Sequence, residues 1–502
     1  MPVSRLLPLL LAVMLLCACS VSTPADGVPA EQGTSPASPA PQQLVLPYVS
    51  KASLNPLSTT SRINQELGAL LFDPLVELDD SLEPSLVLAE SIDVDGLTVT
   101  VRLKPGLTFH DGSPLTSQDV LDTLSRIQAG GTNYDARMDG VESIQAADEQ
   151  TLVLTLLSEN SLFASLLEIP ILKAGDDSSA PVGSGKFSYD AQNGLLLRND
   201  NWVGGPVALS SIRLVQAPEL QEAPLSLGSG ELSLMTLFGA KLSLEGVRYV
   251  SNNLIFLGVN PSCAALSTPE LRRALSCALT RSTLIDDNVA PGGFVALSPI
   301  SSKWYLYDSS AVSRGADAAY TESVLEQAGY LLTEQEVRET SGGRPLSLSL
   351  LYNNASSERV ALAGSIAAQL SAFGYQVSLV EANPQEYASL VQAGTFDLYL
   401  GEIRLTPDMD VAPLVQSGGA LNFARFSSPT LDSALQALKS ASPEQLQSCA
   451  TVLIAALDSE MPLIPLYFAL GEVALGEPSL RSVLTPTPTN PLSGLEHLSL
   501  AP

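Results

Sequence analysis

The chain is poor in histidine, cysteine, tryptophan and positive charge. Only His110 and His497 occur among 502 residues, which leaves little room for a histidine-rich metal site or an imidazole relay. Lys and Arg number 25 against 53 Asp and Glu, a formal charge of −28. That balance excludes the basic footprint of a nucleic-acid binder and adhesion to anionic lipid through a polybasic patch. Charged residues make up 16% of the chain, below the roughly 25% usual for soluble domains. The acidity therefore reflects a shortage of Lys and Arg, not a crowd of carboxylates. Catalytic signatures are missing as well. Gly183-Ser184-Gly185-Lys186 lacks the first glycine and final hydroxyl residue of a phosphate loop, and there is no Gly-x-Ser-x-Gly, His-Glu-x-x-His or Cys-x-x-Cys. No catalytic residue, cofactor or metal is expected.

What is present begins with Arg5 and an apolar run of eleven residues, Leu6 to Leu16. A membrane span needs about 20 residues, so this run fits the h-region of a secretory signal. Leu16-Cys17-Ala18-Cys19 resembles the bacterial lipoprotein signal, with Cys19 as the lipidated first residue of the mature chain. Ordinary secretion with cleavage nearby is the alternative. Residues 20 to 43 are mostly Ser, Thr, Pro, Ala, Gly and Gln, a composition that cannot bury enough apolar surface to order itself and so reads as a tether. After the signal no run of about 18 uncharged apolar residues follows. Lipid, tether and body together predict an extracytoplasmic protein held at the bacterial cell membrane without spanning it. Cys263, Cys277 and Cys449 form an odd set and read as small buried side chains, one disulfide being the alternative.

In the body, residues 97–103 alternate as a half-buried strand, and a helix starts near Thr116 with Asp119 completing an approximate capping box. Residues 141–147 and 151–157 predict a β pair. From 345 to 400 the pattern is β-α-β-α-β: a strand ending near Tyr352, a helix stopped by Gly374, a strand from Tyr375, a helix opened by Asn383-Pro384 and ended near Gly394, and a strand over 396–400. This order predicts a doubly wound α/β lobe, whose ligand would sit beyond the carboxyl ends of its strands, at Asn353-Asn354 and Gly401-Glu402-Ile403-Arg404.

An ordered series of segments resembles the extracytoplasmic solute-binding proteins of peptide and nickel ABC importers, family 5. It includes Asn55-Pro56-Leu57, Leu71 to Val76, Leu103 to Gly112, Gly183 to Phe187, Asn199 to Pro206, Leu271 to Leu275 and Pro462 to Tyr467. The resemblance implies an α/β, periplasmic-binding-protein-like two-lobed clamp of class II with an additional small domain. Residues 1–18 would be the signal peptide, and 19–43 the lipidated cysteine and linker. Domain I would comprise 44–70, 181–260 and 471–502, domain II 71–180, and domain III 261–470. The implied function is capture of oligopeptides or similar small solutes between domains I and III, and delivery to an ABC permease and ATPase complex by a monomeric receptor. A surface-anchored solute sensor or interaction protein without a transport partner is the alternative. The chain departs from the family where peptide-binding relatives carry an Asp after strand 396–400: an ungapped reading places Leu405 there, with Glu402 and Asp408 nearby.

Six residues are expected at the ligand. Glu402 would accept hydrogen bonds from a cationic head and Arg404 would fork to a carboxylate, together suiting a zwitterion; the competing reading is a mutual ion pair. Asn353 closes a strand, Asn422 lies in the segment Leu421-Asn422-Phe423, and Tyr48 and Asn55 lie near the first strand of domain I. His110 reads as scaffold. The net charge favours a cationic or zwitterionic solute over an anionic one, within the limit set by salt screening.

Overall fold

The computed structural model describes residues 43–238, 246–289, 292–313 and 315–498. The expected signal, Cys19 and nearly all of the linker lie outside the described residues. Among the described residues no helix is long and apolar enough to cross a membrane, and Cys263, Cys277 and Cys449 are all free thiols, Cys277 buried.

The largest sheet joins a parallel half to an antiparallel half. Strands Gln376–Ala382, Ser347–Asn353 and Leu398–Arg404 lie side by side in parallel. The sheet then continues antiparallel through Gly246–Val259, Leu463–Leu475 and Leu234–Phe238, with the short strand Gly293–Val295 also on Leu463–Leu475. The parallel half needs crossover helices, and the sequence supplies their signals. Ser356 caps helix Ser357–Ser371 by accepting from Arg359 N, and Asn383 caps Pro384–Ala393 by accepting from Gln385 N and Glu386 N. Gly394 closes the second helix at φ 71°, the left-handed conformation that glycine adopts without strain. Both faces of this half are covered. Leu362, Ala363, Ile366 and Leu370 pack on Leu348 and Leu350 on one side. Helices Pro429–Lys439 and Leu446–Glu460 bury Leu435 and Leu453 with Phe256 and Tyr399 on the other. A sheet buried on both faces reads as nearly continuous apolar strands, as Leu398-Tyr399-Leu400 does.

The remainder is built on two four-stranded sheets. One pairs Leu44–Tyr48 in parallel with Ser211–Gln216 and continues through Leu195–Arg198 and Phe187–Asp190; the other is antiparallel, in the order Ala89–Asp95, Thr98–Leu103, Thr151–Leu156, Val141–Ala146. Helix Ser117–Gln128, with Thr116 and Asp119 forming the capping box, supplies Val120, Leu124 and Ile127 to the core. Both sheets share one continuous core: Leu46 and Phe187 from the first belong to the same cluster as Val101 and Leu154 from the second.

Two long antiparallel strands carry the chain between this core and the doubly covered sheet. Tyr249 and Val473 belong to the former, Leu254, Leu257 and Ile464 to the latter. Their register shifts between Val250 and Leu254 and again between Ile255 and Phe256, irregularities that bend and twist a strand. The boundary drawn from the sequence at 470/471 falls inside one continuous strand, Leu463–Leu475.

Candidate functional site

A cavity of about 270 Å³ is walled by five sequence-distant segments: 60–77, 133–137, 168–170, Arg404 and 488–491. Its apolar lining is stiff, with Ala69, Phe72, Pro74, Pro170, Pro488 and Pro491. Half of its polar lining is charged: Arg62, Glu66, Glu77, Arg137, Glu168 and Arg404. Helix Arg62–Leu71, capped by Ser61, presents Arg62 and Glu66 one turn apart, paired at 2.9 Å. Arg62 also donates to Tyr249 Oη at 3.3 Å and stacks 4.3 Å from the Phe238 ring centroid, while Thr236 Oγ1 donates to Glu66. Arg137 pairs with the Glu168 carboxylate at 3.6 Å and donates to the Glu168 carbonyl. Glu168 accepts further hydrogen bonds from Leu78 N at 3.2 Å and Thr489 Oγ1 at 2.8 Å. Burial nevertheless outweighs these partners and pushes its pKa up to about 7.

Arg404 stands at the end of strand Leu398–Arg404, its backbone in register with Asn253. Its side chain is open to solvent in the cavity, yet protein crowds it. That crowding lowers its pKa, helped by the positive charges of Arg137 and Arg62. Among the described residues it makes no side-chain hydrogen bond and no ion pair.

Beneath the cavity lies a scaffold assembled from the segments that carried the family resemblance. Gly183 and Gly185 pass so close to residues 71–72 that a Cβ on Gly183 would lie 1.9 Å from the Leu71 carbonyl oxygen. The buried backbone of 183–185 takes His110 N onto Gly183 O at 2.8 Å, the His110 Nε2 contact to Gly185 O at 3.0 Å, and Asn199 Nδ2 onto Ser184 O and Gly185 O. Trp202 Nε1 donates to Asp73 at 2.9 Å. Lys186, 2% exposed, pairs with Glu496 at 3.3 Å and with the cavity-lining Glu77 at 3.5 Å. Burial raises the Asp73 pKa to about 6. The motifs thus hold Phe72 and Pro74 in place as cavity wall.

Of the six residues expected at the ligand, the structure places only Arg404 in this cavity. Glu402, two residues earlier, turns to a different partner: it pairs with Arg359 at 2.5 Å and accepts from Asn253 Nδ2 at 3.2 Å. It borders two other hollows, one of them aromatic-lined with Phe256, Tyr387, Tyr399 and Phe423 and also bordered by Asn353. Glu402 and Arg404 therefore neither pair with each other nor converge on one ligand position. Asn353 Oδ1 accepts from Ala355 N. The Asn422 amide is consumed within its own loop, donating to Gln416 O and Phe426 O and accepting from Phe426 N. Asn55 is buried and shapes a turn, accepting from Leu57 N and donating to Ser178 O. Tyr48 closes the first strand, beside Tyr189. The reading of the sequence missed Arg62, Glu66, Tyr134, Arg137 and Glu168. Only the Arg62–Glu66 spacing, a helical i,i+4 pair, left a local signal.

The chain matches the profile of the bacterial extracellular solute-binding proteins, family 5 (middle), over residues 82–420. It is 24% identical over 429 residues to the oligopeptide-binding protein AppA of Bacillus subtilis, covering 76% of this chain and 77% of that protein. It is 27% identical over 400 residues to protein XP55 of Streptomyces lividans, covering 73% and 72%. Among solved structures, HbpA2 from Haemophilus parasuis superimposes with a TM-score of 0.78 at 17% identity, over 91% of this chain and all of that one. The structure of Bacillus subtilis AppA in complex with a nonapeptide superimposes with a TM-score of 0.61 at 22% identity, over 92% of this chain and 100% of that one. The fold is the two-lobed α/β fold of these binding proteins, and the chain belongs to the bacterial extracellular solute-binding proteins of family 5.

Proposed function

We propose that this protein is the lipid-anchored receptor of an ABC importer, capturing peptides or similar small solutes outside the cytoplasm and delivering them to a membrane permease. The observation that carries the reading is the cavity itself. At about 270 Å³ it sits near the lower end of ligand-binding cavities, roughly 300–1,000 Å³. Its walls come from segments as far apart as Thr60 and Pro491, so a bound solute gains its contacts only when those segments are brought together. Domain I (44–70, 181–260, 471–502), domain II (71–180) and domain III (261–470) would each contribute to the wall, and the receptor would act as a monomer without performing chemistry. Family membership and the peptide-binding names of several relatives support this reading. Its test is mass spectrometry of solute released from the purified protein, followed by calorimetry with that compound and with a peptide library. Intact solute that binds again with a defined affinity is expected; turnover of the compound, or no binding by any candidate, would overturn it. Anchoring is tested separately by Cys19→Ala, which should release the protein from the membrane fraction and abolish fatty-acid labelling.

A further inference from the structure

The two long strands are not the only connection between the cores. Two turns on the side of the four-stranded sheets reach across to the large sheet. The first is the tip of the hairpin formed by Val76–Leu78 and Pro84–Leu86. Val76 belongs to the core that the four-stranded sheets share, whereas Leu78 and Leu82 belong to the same cluster as Trp304 and Met409. Asp79 Oδ1 shapes this tip by accepting from Ser81 N and Glu83 N. Leu82 is held there at φ 64° with 2% of its surface exposed, a left-handed backbone that a leucine adopts only against strain. Across the contact Tyr305 N donates to Ser81 O at 2.9 Å, and Lys303 pairs with Asp80 at 3.4 Å. The second turn is 160–162. Its Leu162 joins the large-sheet cluster while Phe163 stays in the other core. Ser161 donates through N to Lys439 O at 2.9 Å and through Oγ to Leu438 O at 2.7 Å.

Where the second turn lands, a carboxyl group is poorly matched. Asn160 Nδ2 donates to Asp408 Oδ2 at 3.1 Å, and Asp408 Oδ1 is buried with no hydrogen-bond donor among the described residues. Lys439, the cation that acts on Asp408, is spent on Asp410 at 2.9 Å. The groups facing Asp408 are thus Thr406 and Asp410 from its own loop, Lys439 from helix Pro429–Lys439, Asn160 from the turn, and the Tyr305 phenol, with Glu83 on that phenol as well. Burial and the Asp410 charge raise the Asp408 pKa, against the weaker pull of Thr406, Asn160 and Lys439. Exposed to water, the carboxyl would return towards its ordinary 3.8. The contact therefore favours the protonated form: its contribution is full below that ordinary value and is lost as pH rises through the raised one. We infer that the two turns form a clasp which parts for the cavity to open, and that Asp408 sets its strength: carrying a proton it holds the Asn160 turn shut, and ionised it releases it. Arg404 comes to the cavity from the large sheet and the other walls from the opposite side, so parting of the two sides uncovers the cavity. The consequence for solute capture rests on the receptor reading above; the clasp itself does not.

The test is hydrogen–deuterium exchange on the full-length protein, read by mass spectrometry from about pH 4 to 8 and corrected for the intrinsic rate of each amide. Peptides over 160–163 and 303–306 carry the amides of Ser161 and Tyr305, which bond across the clasp; helix Ser117–Gln128 is the control. In the wild-type protein, protection of the two clasp peptides should fall by up to about tenfold per pH unit until Asp408 is ionised in the clasp. The helix should stay level. Asp408→Asn, which has no proton to lose, should keep the clasp protected across the range. Asn160→Asp sets a second carboxylate against Asp408, so it should lower clasp protection about tenfold or more at the upper end of the range and regain it at the lower end. Level protection in the wild-type protein, the wild-type slope in Asp408→Asn, or a fall shared equally by the control helix would overturn the inference and leave the receptor reading standing. Failure of every solute to bind in calorimetry would sink the receptor reading and leave the clasp standing.

Discussion

Glu402 and Arg404 share one strand, two residues apart, and the fold treats them in opposite ways. Glu402 lies where helix Ser357–Ser371 brings Arg359 within 2.5 Å and the neighbouring strand Gly246–Val259 brings Asn253 within 3.2 Å. Arg404 lies one step beyond the helix's reach, where the sheet opens onto a cavity whose carboxylates already have cations. Identical reasoning from the sequence would give both residues the same standing. The difference teaches that a charged side chain becomes a candidate for ligand binding when its neighbours leave it unmatched.

That comparison can be broken or sharpened by experiment. The largest effect is expected where a matched pair is split. Arg137→Ala strips the half-buried Glu168 of its cation and should cost about 2–3 kcal/mol in urea unfolding. The double variant with Glu168→Gln should recover most of that loss. Absence of recovery would mean that Arg137 stabilises instead through its contact with the Glu168 carbonyl and its guanidinium 5.3 Å from the Tyr134 ring centroid.

A slightly smaller effect follows from the raised pKa of Glu168. Its folded value, about 7, lies above the ordinary 4.5, so the folded state binds the proton more tightly. Its contribution to stability is then greatest below pH 4.5 and is lost as pH rises through about 7. The raised Asp73 acts with the same sign, its window closing near pH 6. Between pH 5 and 7.5 the Glu168 contribution should fall by about 2 kcal/mol. Glu168→Gln should flatten that part of the profile, and an unchanged slope would show that Glu168 titrates normally.

Smaller still is the outcome for the other pair. Arg359→Ala should change stability by about 1 kcal/mol or less, because both members are partly exposed and their attraction is screened. The smallest is Glu402→Gln, which should leave solute affinity within about twofold by calorimetry. A tenfold loss would place Glu402 at the ligand after all and move the site toward the aromatic hollow beside it.

Much of the fold was legible because its signals are local. The capping pair Thr116 and Asp119 marks the start of a helix, and Asn383-Pro384 and Gly394 bracket another. Apolar alternation marks the strands that became Thr98–Leu103, Thr151–Leu156 and Ser347–Asn353. The β-α-β-α-β order over 345–400 gives the parallel half of the large sheet, but its third strand runs Leu398–Arg404, so Gly401 to Arg404, expected beyond the strand's end, belong to the strand itself. The candidate site was legible at one residue, Arg404, and for a reason that held only in part: strand ends do border hollows, but the cavity's remaining walls come from elsewhere. Asn422 and Asn55 illustrate the limit from the other side. Polar residues in loops suggest ligand contact, yet here the Asn422 amide is spent within its own loop and the Asn55 amide is divided between its own turn and the Ser178 carbonyl.

The sequence alone thus determined the elements, the family and the net charge, since each depends on neighbouring residues, ordered motifs or composition. Only the tertiary structure decided which charges meet. Arg62, Arg137, Glu168, Arg404 and Thr489 are scattered over more than four hundred residues, and no spacing in the chain relates them. Their juxtaposition follows from how the two long strands join the separate cores. Because Coulomb interactions depend on distance in space, that joining leaves Arg404 as the one described cavity-lining arginine without an ion pair.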